Sequence, residues 1–302
     1  MEIRALKAFT IRDSETGNLS SIAHGAIAEV SNTLGESLIS DGLAEEYASV
    51  HASFKAIVDD TLTKVTADML DGVETISSYA FYQCGVLKSV ELPSSVTSIE
   101  SNAFENCYKL TSVTIPSSVT SVKGSAFKNC RGLKNLTLEQ GVTNIGGYAF
   151  CDCVSLESVT IPSSVTDIYS EAFKNCKALT SVSILAGNIS NGVFYGCTAL
   201  TSLTLGEGVT SIGSNIFYGC TSLESVTIPS SVTSIGERAF NGCTSLESVT
   251  VLRTTPPTAG YNMFINTSSS LVIYVPSESV DTYKAASGWS TYADKIQAIP
   301  NE

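Results

Sequence analysis

The chain has 302 residues, of which 43% are hydrophobic and 15% are charged, with 17 Lys and Arg against 29 Asp and Glu. A formal net charge of −12 argues against a nucleic-acid-binding protein, which needs clustered basic side chains. No run approaches the roughly 18 to 20 apolar residues of a membrane span. The first residues also lack the apolar stretch of a secretory signal peptide. We therefore expect neither a membrane span nor a secretory signal.

The first 47 residues carry a pattern of their own. Short strands are predicted within 2–11 and 25–30. Asn32 is suited to cap a helix that continues to Ser40, with Gly42 just beyond its end. We therefore predict a small α+β module at residues 1–47. Residues 1–72 hold 12 acidic and 5 basic side chains, so this end of the chain is strongly acidic.

Residues 48–72 are predicted to be a linker and an N-terminal cap. Apolar residues recur here mostly at three- and four-residue steps: Val50, Phe54, Ile57, Val58, Leu62, Val65 and Met69. One interpretation is an amphipathic helix over 48–60, and in a fibre residues 48–70 would form a homo-oligomer seam. The other is half of a repeat unit, because Leu62-x-x-Val65 matches Leu110-x-x-Val113 further along the chain. The two interpretations are compatible, and both stay open.

A repeat of 23 residues occupies residues 73–251. Phe recurs at this spacing with one 21-residue step, where the segment 184–189 is two residues short. The repeated phenylalanines are Phe81, Phe104, Phe127, Phe150, Phe173, Phe194, Phe217 and Phe240. A cysteine follows three residues after each: Cys84, Cys107, Cys130, Cys153, Cys176, Cys197, Cys220 and Cys243. Such a period predicts eight stacked units of a solenoid.

One repeat shows how a unit is built. Residues 110–115 end in strict alternation of apolar and polar side chains, which predicts a strand with one buried face. Pro116 ends the strand because it cannot donate a hydrogen bond to a neighbouring strand. Asn106 stands where each copy has Asn, Asp, Gln or Gly, which predicts a left-handed turn residue. Stacked copies would place Phe on Phe, Leu on Leu and Val on Val.

These residues resemble the BspA-type leucine-rich repeat. The resemblance rests on the pattern Ile99-x-x-x-Ala103-Phe104-x-x-Cys107-x-x-Leu110-x-x-Val113-x-Ile115-Pro116 and its copies. Residues 252–302 resemble the family's C-terminal cap, with a degenerate rung (Phe264, Leu271, Ile273) followed by an aromatic-bearing helix through Trp289, Tyr292 and Ile296. The predicted fold is a β-rich α/β solenoid with a C-terminal cap, preceded by the small α+β module. The resemblance implies a secreted or surface adhesin that binds host proteins or other cells, without enzymatic activity.

Residues 1–47 resemble short modules of tailed-phage virion proteins, such as head-fibre or decoration proteins. The shared features are the segment 3–7, a Gly-x-x-x-Glu-Val strand at 25–30, and the segment 38–45. This resemblance implies that residues 1–47 bind a capsid or other virion protein, and that the protein lies on the virion surface. The alternative is a bacterial cell-surface or secreted adhesin.

The nine cysteines and two histidines do not predict a catalytic, metal or cofactor site. Structural zinc sites use closely spaced cysteine pairs, which a 23-residue period does not supply. We expect a column of buried free thiols, with Cys151 alone on a turn surface. His24 and His51 lie outside the repeats and in no catalytic motif. The sequence therefore predicts no enzyme, no metal and no cofactor.

The candidate binding site is the outward side of the main strand of each repeat. Two columns of mostly hydroxyl side chains are predicted there: Ser112, Thr114, Asn135, Thr137, Ser158, Thr160, Ser181, Ser183, Ser202, Thr204, Ser225, Thr227, Ser248 and Thr250. One interpretation is a recognition surface for a host-surface protein or a glycan. The other is that these short, β-tolerant side chains pair with one another and keep the face soluble.

Overall fold

The computed structural model describes residues 63–300, and the backbone of four strands near the N-terminus: Glu2–Arg4, Phe9–Arg12, Leu19–Ile22 and Ile27–Glu29. The first and fourth of these strands pair antiparallel, and so do the second and third. Glu2–Arg4 and Ile27–Glu29 lie within the predicted strand segments, and Phe9–Arg12 ends one residue beyond the first segment, whereas the strand at Leu19–Ile22 was not predicted. The predicted helix over 32–40 and the predicted seam over 48–60 lie outside the described residues.

From residue 63 to residue 300 the chain winds as a parallel β-solenoid, as predicted. Most turns contain two strands, and the second, shorter strand was not predicted. Sheet A consists of Lys64–Val65, Ser89–Val90, Ser112–Ile115, Asn135–Leu138, Ser158–Ile161, the first parts of Ser181–Ile189 and Ser202–Ile212, Ser225–Ile228, Ser248–Val251, Val272–Val275 and Ile296–Ala298. Sheet B consists of Thr75–Ile76, Ser98–Ile99, Ser121–Val122, Asn144–Ile145, Asp167–Ile168, the last parts of the same two long strands, Ser234–Ile235 and Thr258–Ala259.

The register of sheet A follows the sequence period. Val113 pairs with Leu136, and Ile115 pairs with Leu138, each one repeat further along. Side chains alternate between buried and exposed along each central strand. Because a strand has a period of two, the apolar residues of every turn point into the same core and the intervening polar residues point outward.

The core is a set of continuous apolar files, as the repeat predicts. Nine rings from Phe81 to Phe264 stack on one another, with centroids 4.9–5.7 Å apart and interplanar angles of 4–22°. Leu110, Leu133 and their counterparts are fully buried beside them. Each such side chain contributes about 1.5–3 kcal/mol of burial free energy before its loss of entropy is subtracted.

Two left-handed residues flank every stacked phenylalanine. The residue two positions after it has a positive φ in each copy, such as Asn106 at 67° and Asn129 at 61°, which confirms the predicted turn. The residue two positions before it is also left-handed, such as Ser125 at 57° and Glu171 at 60°, and this was not predicted. Between these two left-handed residues, the Phe104 N–H points along the solenoid axis and donates a hydrogen bond to the carbonyl oxygen of Ala126 in the next turn, with N and O 2.7 Å apart.

Sheets A and B meet at a corner that contains proline in four of the eight repeats, at Pro93, Pro116, Pro162 and Pro229. Pro116 ends its sheet-A strand, and its carbonyl accepts the Val119 N–H at 2.9 Å. Leu185 and Gly206 replace this proline in two successive repeats, and there the strands Ser181–Ile189 and Ser202–Ile212 run through both sheets. Glu139 and Leu252 also replace it, but the sheet-A strands before them still end at the corner. Within residues 63–300 the sheet-A ladder is interrupted once, directly after the second of these strands and before Ser225–Ile228.

The C-terminal cap closes the core with aromatic side chains. Helix α1 (Val280–Ala285) lies between short 3-10 helices at Ser277–Ser279 and Ser290–Lys295, and a further 3-10 helix, Ala67–Leu70, lies at the opposite end. Trp289 is buried, and its Nε1 donates to the carbonyl of Pro257 at 2.8 Å.

The sequence placed Ile296 in the cap helix, and this was wrong. Ile296–Ala298 is a strand that pairs in parallel with Val272–Val275. The reason is that Ile296 must become extended to bury its side chain on the last rung, beside Ile273. In the described part of the chain, no helix has both the length and the hydropathy needed to cross a membrane.

Candidate functional site

The outward side of sheet A carries the predicted residues in two straight columns. The Ser column is Ser112, Asn135, Ser158, Ser181, Ser202, Ser225 and Ser248; the Thr column is Thr114, Thr137, Thr160, Ser183, Thr204, Thr227 and Thr250. We call the two columns together the hydroxyl face. All fourteen side chains are exposed or half-buried. Neighbouring turns of the face are about 4.8 Å apart, as strands in a sheet are.

Buried neighbours hold each of these side chains in place. Ser112 and Thr114 alternate with Val113 and Ile115, which are buried in the core. The backbone of each strand also pairs with the strands before and after it through most of the sheet. The face is therefore flat, regular and rigid. Its fourteen side chains are all uncharged.

Hydroxyl groups elsewhere in the solenoid have structural partners. Thr143 Oγ1 donates to the carbonyl of Thr120 at 2.9 Å, and Ser118 Oγ donates to the carbonyl of Val96 at 2.6 Å. Thr180 Oγ1 reaches the carbonyl of Glu157 in the same way, at 3.1 Å. These hydroxyls join one turn to the turn before it, so their abundance is explained by the fold.

The hydroxyl face differs in this respect. Within the described residues, none of its fourteen side chains makes a hydrogen bond to another protein atom. The interpretation that neighbouring side chains of this face pair with one another is therefore not supported by any hydrogen bond between them in the described residues. Their donors and acceptors point to solvent, and their role in binding stays a prediction.

The two ends of the face differ from its middle. At the first turns, Ser89 and Glu91 extend the columns, and Lys64 Nζ lies 2.7 Å from Glu91 Oε1. The hydrogen bond from Lys64 lowers the pKa of the Glu91 carboxyl. Towards the C-terminus, Tyr274 pairs with Thr250 and adds a half-buried aromatic ring to the Thr column, and Gln297 pairs with Tyr274 on the last rung. Sequence reasoning missed this ring because its rung departs from the repeat pattern.

The cysteines serve the core. Seven thiols lie within 3.1–3.4 Å of the carbonyl oxygen of the phenylalanine one turn earlier, such as Cys130 Sγ and Phe104 O at 3.2 Å. Burial raises the pKa of the thiols of Cys130, Cys176 and Cys220 well above the ordinary value. All nine cysteines are buried, so they act as small apolar residues with a weak donor.

Cys151 corrects one expectation. It was expected on a turn surface, yet only 4% of the residue is exposed. Burial, with the neighbouring Asp152 carboxylate, raises the pKa of its thiol to about 12. Sγ also lies 3.4 Å from Asp152 Oδ2. Its thiol is therefore protonated at neutral pH and poorly suited to redox or nucleophilic chemistry.

Among the described residues, no three His, Cys, Asp or Glu side chains form a group that could hold a metal ion. His24 and His51 lie outside the described residues. The candidate site in the described part of the chain is the hydroxyl face.

Comparison with known proteins places these features among bacterial repeat proteins. The profile of the "BspA type Leucine rich repeat region", in six copies, matches residues 55–180 and 178–286. A leucine-rich repeat protein from Bacteroides ovatus ATCC 8483 is 26% identical, with a TM-score of 0.55, over 79% of this chain and 66% of its own. This chain thus spans about two thirds of that protein.

A leucine-rich repeat protein from T. pallidum is 33% identical over 54% of this chain and 78% of its own, with a TM-score of 0.49. Among proteins with curated descriptions, none matches the chain.

Proposed function

The chain belongs to the BspA-type leucine-rich repeat family, and from this premise we propose that it is a non-enzymatic adhesion protein. In this proposal the solenoid binds a host-surface protein or a glycan, and the hydroxyl face is the contact surface. Residues 1–47 attach the solenoid to a larger assembly. The protein then acts as a rigid spacer that presents one flat side to its ligand.

The observation that supports this proposal is the contrast between two sets of hydroxyls. Those of Thr143 and its counterparts bond to backbone carbonyls, whereas those of the hydroxyl face have no partner in the described chain. A ligand rich in hydrogen-bonding groups can replace the water on such a face with little rearrangement, because the sheet is already ordered.

Two assemblies are candidates for the attachment through residues 1–47. The resemblance of these residues to virion modules favours a phage capsid or fibre, with the solenoid on the virion surface. The bacterial origin of the Bacteroides ovatus structure favours a bacterial cell surface instead. Deletion of residues 1–47 distinguishes them: binding to purified capsid or tail protein that disappears on deletion supports the virion, and binding to a bacterial envelope fraction that disappears supports the cell surface.

The contact surface can be tested with isosteric substitutions. A triple variant, Thr137→Val, Thr160→Val and Thr204→Val, keeps the shape of the face and removes three hydroxyls. We expect binding to host cells or mucus to fall at least about tenfold, since each of the three lost hydrogen bonds contributes about 0.5–1.5 kcal/mol. The stability of the solenoid should change little.

The matched control changes three threonines whose hydroxyls bond to backbone carbonyls, Thr143→Val, Thr166→Val and Thr233→Val. It should lose stability and retain binding. Equal binding by both triple variants would show that the hydroxyl face is not the contact surface.

A further inference from the structure

A basic cluster borders the Ser column on this acidic protein. Lys88 and Lys134 directly precede Ser89 and Asn135, and Lys109 and Arg131 lie in the loops that lead into the strands that begin at Ser112 and Asn135. We call Lys88, Lys109, Arg131 and Lys134 the basic rim. All four are exposed. In the described chain none of them lies within 4.0 Å of a carboxylate oxygen, although other lysines do.

Arg131 is held in a fixed orientation. Its guanidinium carbon lies 5.6 Å from the centroid of the Tyr108 ring, and its Nε donates to Asn129 Oδ1 at 2.7 Å. Asn129 in turn donates to Asn106 Oδ1 at 2.5 Å. These contacts occupy one nitrogen and one ring face, and they leave the two terminal nitrogens for a ligand. A fixed guanidinium suits the planar, two-oxygen contact of a carboxylate or sulfate.

The charge along this side of the solenoid changes sign. In later turns the position of Lys88 and Lys134 is taken by Glu157, Glu224 and Glu247, all exposed. An anionic ligand would therefore be attracted to the first turns of the hydroxyl face and repelled from the last ones. In the described part of the chain, the N-terminal turns of the hydroxyl face are therefore the place where an anionic ligand would bind.

We propose that the basic rim and the adjoining turns of the hydroxyl face bind an anionic polysaccharide through its sulfate or carboxylate groups. This inference rests on the proposed function and names the ligand class. A polysaccharide fits better than an acidic peptide because the outward strand residues beside the rim, Ser89, Ser112 and Asn135, are small and polar. They match sugar hydroxyls, and they offer no recess for apolar peptide side chains.

The test uses the full chain and dextran sulfate, with uncharged dextran and polyglutamate as comparisons. We expect dextran sulfate to bind, dextran not to bind, and affinity to fall at least about tenfold between low salt and 0.5 M salt, because exposed charges are screened. The variant Lys88→Gln, Lys109→Gln, Lys134→Gln should bind at least about tenfold more weakly. Arg131→Lys, which keeps the charge and loses the planar fork, should weaken binding about threefold or more.

The control variant Lys123→Gln, Arg238→Gln, Lys284→Gln makes the same change in net charge elsewhere on the solenoid. It should bind dextran sulfate within about twofold of the parent. An equal loss in the control would overturn the proposal, because binding would then depend on overall charge alone. Tighter binding of polyglutamate than of dextran sulfate would also overturn it, in favour of an acidic peptide.

The outcome for this inference is separable from that for the proposed function. If dextran sulfate does not bind, but host cells bind in a way that the triple Thr→Val variant of the hydroxyl face weakens, the inference fails and the proposed function stands. If neither the polysaccharide nor cells bind, both fail.

Discussion

Each stacked phenylalanine stands between two left-handed residues, and only one of them is visible in the sequence. The position after it is filled by Asn, Asp, Gln or Gly, which tolerate this conformation. The position before it holds residues as varied as Tyr148, Glu171 and Arg238, all with φ between 53° and 60°. The fold imposes the conformation there against the preference of the side chain, so this position stores strain.

Ser125, at φ 57°, allows that strain to be measured. Ser125→Asn should stabilise the protein by about 0.5 kcal/mol, and Ser125→Val should destabilise it by about 1–2 kcal/mol, because a β-branched residue is disfavoured in this region. Urea denaturation gives both values. The same pair of substitutions at Ser101, whose φ is not positive, is the control. Equal changes in the free energy of unfolding at Ser125 and Ser101 would contradict the claim that position 125 is strained.

At the level of the element, the phenylalanine file is the main continuous contact between turns. Phe127 lies 4.9 Å from Phe104 and 5.3 Å from Phe150, ring centroid to ring centroid, and is fully buried. A turn cannot bury this ring by itself, so every turn depends on its two neighbours. Loss of one ring therefore weakens two interfaces.

Phe127→Ala should lower the free energy of unfolding by about 3–5 kcal/mol, since the removed ring leaves a cavity between two others. The exposed Ser158→Ala should change it by less than about 0.5 kcal/mol. Chemical denaturation of the two variants beside the parent provides the measurement. Similar stabilities for both would show that the file is not packed as described.

The repeat made the solenoid and its core predictable because the same residue types recur at fixed spacing. Phe104, Leu110 and Val113 are buried in the same way as their counterparts in the other repeats, so eight copies of the pattern together indicate that these positions lie in the core. Features that depend on a single copy were not predictable. The strand at Ile296–Ala298 and the ring of Tyr274 occur where the period has ended, and the burial of Cys151 depends on its spatial neighbours. The alternation of apolar and polar residues along each strand was enough to predict that the hydroxyl face points outward. It contains no information about the ligand.

At the level of the whole molecule, buried thiols make stability depend on alkaline pH. Burial raises the pKa of the Cys151 and Cys243 thiols to about 12, whereas an unfolded thiol has a pKa of about 8.5. Below pH 8.5 both states are protonated, and the stability is fully present. Above it only the unfolded chain loses protons, so stability falls until the folded pKa is reached.

We therefore expect the free energy of unfolding to fall between pH 8 and pH 10, by up to about 1.4 kcal/mol per pH unit for each such thiol. Denaturant midpoints measured in the presence of a reductant test this. Cys151→Ala should give a shallower slope than the parent, because one titrating thiol is removed. A midpoint that does not move over this range would contradict the raised thiol pKa values.

The interrupted ladder gives the rod a weak joint. Between the turns of Phe194 and Phe217 the ring centroids are 5.7 Å apart, the widest step of the file. Sheet A has no strand pairing across this step, which is held by sheet B, where Ile189 pairs with Ile212, and by hydrogen bonds of the Phe turns such as Phe194 N–H to the carbonyl of Ile216 at 2.9 Å. Tension along the rod axis would therefore separate neighbouring turns at this joint first, because fewer strand hydrogen bonds resist it there. A tether stretched between two surfaces would then yield at a fixed position and close again once the load was released.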